Sequence, residues 1–115
     1  MSTDRELLEL AAKANGFQVK GWIGDRLSFF DPILDSAEYE WNPLTDDGDA
    51  LRLAVALEIE VVMYRYDACG DDLQVEAESR RYACQESTEE NGGDKFAACR
   101  RAIVRAAAEI GRSMP

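Results

Sequence analysis

From Asp94 to about Gly111 the chain carries apolar residues at helical intervals: Phe96, Cys99, Ile103, Ala106 and Ile110. Arg101, Arg105 and Arg112 line much of the opposite side. Asp94 suits the N-cap, since its carboxylate can accept an N–H that a helix start leaves unpaired. A helix with one apolar stripe draws most of its stability from a surface that buries the stripe. The rest of the chain has to supply that surface, and much of it reads as strands.

Ile59–Tyr66 is the clearest of these, rich in β-branched and aromatic residues, and is expected at the centre of a sheet. After a turn at residues 67–72, Leu73–Ala77 alternates as a half-exposed strand. Arg80–Cys84 reads as an optional further strand, and residues 85–93 as a polar, acidic loop. Nearer the start, Phe17, Val19 and Gly21 alternate with Gln18, Lys20 and Trp22. A turn at Gly24-Asp25 joins them to Arg26–Phe30 as a hairpin, which Asp31-Pro32 ends. Ile33–Glu40 reads either as a loop or as a short edge strand.

Two more helices complete the pattern. Thr3 can cap the first, running to about Ala14, with Glu6 in capping-box position and Asn15-Gly16 as its stop. Thr45 is the expected cap of the second, over about Asp46–Leu57, with Asp46 and Asp47 in its first turn. The order α-β-β-α-β-β-(β)-α predicts an α+β fold: a small antiparallel sheet flanked by helices, in a single domain over residues 1–115.

Charge narrows the function. The chain has 13 basic and 23 acidic residues, a net of −10. This argues against direct binding of nucleic acid phosphates and against an anionic membrane surface. Histidine is absent, which removes the commonest general base and zinc ligand. Cys69, Cys84 and Cys99 lack metal-ligand spacing and read as reduced thiols of a cytoplasmic protein. No nucleophile elbow, phosphate-binding glycine loop or dinucleotide fingerprint is present. The expectation is a non-enzymatic protein with no cofactor and no metal.

Five features could carry binding or chemistry. Asp46, Asp47 and Asp49 could meet a divalent cation, though helix capping explains them more simply. Trp41-Asn42 could form a stacking wall, or clamp its loop onto the core. Arg100, Arg101, Arg105 and Arg112 form a locally basic helix face that could meet phosphate. The first fifty residues hold eleven acids against four bases, and such a face can steer toward a basic protein. Glu58 and Glu60, two apart, could share one face of a strand.

The string Trp41-Asn42-Pro43-Leu44-Thr45-Asp46-Asp47-Gly48-Asp49-Ala50-Leu51-Arg52-Leu53-Ala54-Val55 resembles the signature of a family of small phage proteins, the "ABA sandwich" domain proteins. Arg5–Ala14 and Ala97–Gly111 are similar to that family too, and the pattern is more distantly like the NinX-like phage proteins. The resemblance covers about a third of the chain. It implies a phage source, action in the bacterial host cytoplasm, and helices flanking a sheet; it implies no catalytic residues. If the family shares a site, the matching positions are Trp41, Asn42, Asp46, Asp47 and Asp49.

Together these readings predict a phage accessory protein that binds a host protein or complex with a basic surface and blunts a defence system, as an anti-CRISPR does. A second reading is a small-ligand or signalling-nucleotide sponge, in which Trp41 stacks a base while Arg101 or Arg105 meets phosphate. A metal-dependent enzyme using the aspartates, and a phage structural or regulatory component, are further readings. A homodimer through the last helix is compatible with all of them.

Overall fold

The computed structural model describes residues 3–65 and 72–115. The order is α1 (Asp4–Ala14), β1 (Gln18–Ile23), β2 (Arg26–Asp31), β3 (Ser36–Glu38), α2 (Asp47–Ala56), β4 (Glu60–Arg65), β5 (Leu73–Glu78), β6 (Ala83–Ser87) and α3 (Lys95–Arg112). The α+β class is the one the sequence predicts. Its antiparallel strands divide between two three-stranded sheets, β1-β2-β3 and β4-β5-β6, where the sequence pattern had suggested one. Within Ile33–Glu40, the stretch read as either loop or edge strand, Ser36–Glu38 forms the short third strand of the first sheet.

Local chemistry sets several boundaries as expected. Thr3 accepts the Glu6 N–H at 3.1 Å and starts α1, and Gly16, at φ +85°, follows its end. Asp94 accepts the N–H groups of Phe96 and Ala97 and starts α3. Gly24, at φ +64°, makes the tight turn between Ile23 and Arg26, which face each other. The cap of α2 is Asp46 rather than Thr45: its carboxylate accepts the Asp49 N–H at 2.8 Å.

The second sheet corrects two expectations. β5, not β4, is the central strand. Strand β4 has the stronger β-forming composition, but composition measures fit to a pleated surface rather than place in a sheet. Strand β5 buries Leu73, Val75 and Ala77 on one face and packs against α3. The last strand lies at Ala83–Ser87, because residues 79–82 form a turn closed by the Ser79 N–H donating to the Tyr82 carbonyl. It therefore takes in part of the stretch expected to be loop. The turn expected at residues 67–72, with Cys69, lies outside the described residues except for Asp72; so does Tyr66.

The buried side of α3 is broader than the predicted stripe. It comprises Ala98, Ala102, Ile103, Val104, Ala106, Ala107, Ala108 and Gly111, while Phe96 is exposed and Cys99 and Ile110 are half-buried. Alanines dominate because α3 lies between α1 and the second sheet and buries a surface toward each. At Gly111 an added Cβ would collide with the Leu10 carbonyl of α1, so the two helices touch backbone to backbone.

Among the described residues, seventeen buried ones from α1, α2, α3, the second sheet and Ile59 just before β4 form the main core. Ala12, Leu27 and Phe29 form a second cluster under the first sheet, with Phe17, Trp22 and Trp41 packed on it. Trp41 packs against both clusters. Among the described residues no helix is long and apolar enough to cross a membrane.

Candidate functional site

The Trp41–Asp49 string builds a loop that delivers one wall of a groove. Pro43 holds Asn42 away from helical geometry. The Asn42 side-chain oxygen accepts the Leu44 N–H at 3.0 Å, and its carbonyl accepts the N–H groups of Thr45 and Asp46. The buried carboxylate of Asp49 accepts the Asn42 N–H at 3.0 Å and the Arg52 guanidinium at 2.8 Å. Asp47 pairs with Arg100 at 2.6 Å, and Arg100 also donates to the Leu44 carbonyl at 2.8 Å. These bonds fasten the loop to α2 and α3. Asn42, Asp46, Asp47 and Asp49 thus each have a structural task.

Trp41 combines both roles weighed for it. Its ring meets Phe17 and Phe29 edge-on, with centroids at 5.3 and 6.1 Å, and so clamps the loop to the first sheet. It also lines an open groove of about 480 Å³ between the first sheet and the start of α2. That is a volume typical of small-ligand sites. Trp22 and Tyr39 complete the aromatic lining, and Leu8, Leu27, Asn42 and Thr45 lie between. Four carboxylates (Asp25, Glu40, Asp46 and Asp49) face two guanidiniums (Arg26 and Arg52), a net of −2.

Both guanidiniums are already engaged. Arg52 meets Asp49 at 2.8 Å and Asp46 at 3.9 Å. Arg26 meets Glu40 at 3.9 Å and lies over the Tyr39 ring at 5.7 Å. Arg5, from α1, lies over Trp22 at 4.5 Å, and the Trp22 indole N–H donates to Glu9 at 3.3 Å. Aromatic rings of this region therefore already carry guanidiniums on their faces.

Arg101 and Arg105 do not join the groove. Arg101 pairs with Asp4 at 3.0 Å and approaches Glu86 at 3.9 Å. Arg105 pairs with Glu86 and donates to the Gln85 carbonyl at 3.0 Å. Asn91 gives the buried Glu86 a further hydrogen bond at 3.0 Å. The α3 arginines fasten α1 and β6 to the helix. Neither arginine lines the groove that Trp41 borders.

Other carboxylates were misplaced by spacing alone. Glu58, at φ +54°, sits in the turn before β4 and does not share a strand face with Glu60. Glu60 instead lies opposite Glu78, with Glu76 two residues along β5. The Glu76 side chain, by hydrogen bonding and by its charge, raises the pKa of Glu78. Among the described residues, no three carboxylate or thiol groups are placed to hold a metal ion. Burial pushes the pKa values of the Cys84 and Cys99 thiols up, which disfavours the thiolate.

Sequence reasoning missed Trp22, Asp25, Arg26, Tyr39, Glu40 and Arg52 as groove residues. They come from β1–β3, their flanks and α2, and only the folding of that sheet against α2 gathers them. It also missed the β2–β3 hairpin tip. There Asp31 accepts the N–H groups of Ile33 and Leu34, and this turn holds both side chains out at 91% and 65% exposure. No family model, curated protein or solved structure matches the chain.

Proposed function

We propose that this is a non-enzymatic binding protein that occludes a basic surface of a partner protein. The observation that carries the reading is the groove: an aromatic-lined cleft with a net negative lining, on a chain of net charge −10. The exposed Ile33-Leu34 tip supports it, since apolar side chains held out on a fixed turn make good anchors. In its concrete form, motivated by the phage resemblance, the partner is a defence complex in the cytoplasm of a bacterial host. Occlusion needs no chemistry, which agrees with the use of the aspartates in capping and loop closure.

The test is affinity capture from host lysate, paired with phage survival on defended strains. A single basic complex should be enriched, and Ile33→Asp with Glu40→Gln should lose it. Recovery of the protein alone, with no effect on phage survival, overturns the reading. The groove's size also favours a second reading, a small-ligand sponge. A thermal-shift panel of nucleotides separates the two, because a ligand at one hundred times its Kd stabilises by about 2.7 kcal/mol.

A further inference from the structure

We infer that the groove bordered by Trp22, Tyr39 and Trp41 is a receptor for an arginine side chain of the partner. This rests on the reading above and names the chemical group that the groove takes.

Three observations favour a guanidinium. The lining has two more carboxylates than cations, so it attracts positive charge. Its own two guanidiniums are already paired, Arg52 with Asp49 at 2.8 Å and Arg26 with Glu40 at 3.9 Å, so little cationic capacity is left for an anion. The aromatic rings already accept guanidiniums from within the chain, Arg5 over Trp22 at 4.5 Å and Arg26 over Tyr39 at 5.7 Å. A planar guanidinium can lie on a ring and fork to a carboxylate together, which an ammonium cannot do as well. Asp25, which forms no ion pair among the described residues, is the carboxylate for that fork, and Glu40 joins it by exchanging its exposed 3.9 Å contact with Arg26 for the incoming group. Asp46 and Asp49 are committed to the cap of α2 and to the Asn42 loop.

The molecule carries its own reporter, since Trp22 and Trp41 are its only tryptophans and both line the groove. Intrinsic fluorescence of the full chain is titrated with N-acetyl-Gly-Arg-Gly-amide. The comparison peptides replace arginine with citrulline, which has nearly the same shape and no charge, or with lysine. Expected is a saturable change for the arginine peptide, weakened by salt and absent for citrulline. Asp25→Asn and Glu40→Gln, both at exposed positions, should each raise its Kd by about fivefold, the upper range for a solvated ion pair. No saturable change, an equal response to citrulline or lysine, or a response only to a nucleoside monophosphate overturns the inference.

Failure of this inference is separable from failure of the reading beneath it. A captured partner that persists with the Asp25→Asn, Glu40→Gln double variant keeps the occlusion reading and overturns the arginine receptor. A saturable arginine response without any captured partner does the reverse.

Discussion

The two sheets have the same strand count and the same antiparallel order, yet they are stabilised differently. The second lies against α3 and shares the main core. The first rests on Ala12, Leu27 and Phe29 and a set of half-buried aromatics. The difference teaches where binding can be placed. The second sheet buries its central and last strands against α3, while β4 stays largely exposed. The first, backed by a few rings, leaves a cleft at its margin, and there the groove opens.

The sharpest test makes the same truncation in each core. Leu53 and Leu27 are both almost fully buried. Leu53→Ala should cost about 4 kcal/mol in denaturant titration, in the upper part of the usual range, because its surroundings are tightly packed. Leu27→Ala should cost about 2 kcal/mol, since open space beside the smaller cluster lets the site relax. Equal losses would erase the distinction between the two regions.

Trp41 is the residue that joins them, so Trp41→Ala should both destabilise and uncouple. A loss of about 3 kcal/mol is expected, with amides of β1–β3 exchanging at lower protection than those of β4–β6. Uniform exchange across both sheets would show that the clusters unfold together without the ring. Gly111→Ala probes the tightest contact of the α1–α3 packing. It should cost about 2 kcal/mol, because the obstacle is the Leu10 backbone rather than a side chain able to turn away. An unchanged melting temperature would mean that α1 and α3 can separate freely.

The smallest expected effect lies on the second sheet. Folding raises the pKa of Glu78, so the folded state holds its proton more tightly than the unfolded state. Stability is therefore lost as pH rises through that raised value, and Glu78→Gln removes the loss. The variant should melt slightly higher at pH 7, with the gap closing as pH falls below the ordinary carboxylate range. A gap that is constant with pH would exclude charge repulsion as its origin.

Much of the fold was legible because its signals are local. Thr3 and Asp94 announced two helix starts, and Gly24 a hairpin, through bonds and dihedrals spanning a few residues. The cap of α2 was misplaced by one residue because Thr45 and Asp46 are both good capping residues; the bond to the Asp49 N–H decides between them. The position of β4 was misjudged because a strand's composition does not say how many neighbours it has. The Trp41 loop was recognisable as a unit, but its partners across the groove were not. Trp22 and Glu40 lie 19 and 1 residues from Trp41, and neither interval carries a periodic signal.

By itself, then, the sequence determined the three helices, the hairpin pattern, the α+β class and the acidity, since each follows from neighbours in the chain or from simple sums. Tertiary structure alone decided that the strands part into two sheets and that Arg100, Arg101 and Arg105 pair with Asp47, Asp4 and Glu86. It also decided that two tryptophans share one groove. The physical reason is that burial and ion pairing act through space, and a residue's partners depend on which surfaces pack rather than on its place in the chain.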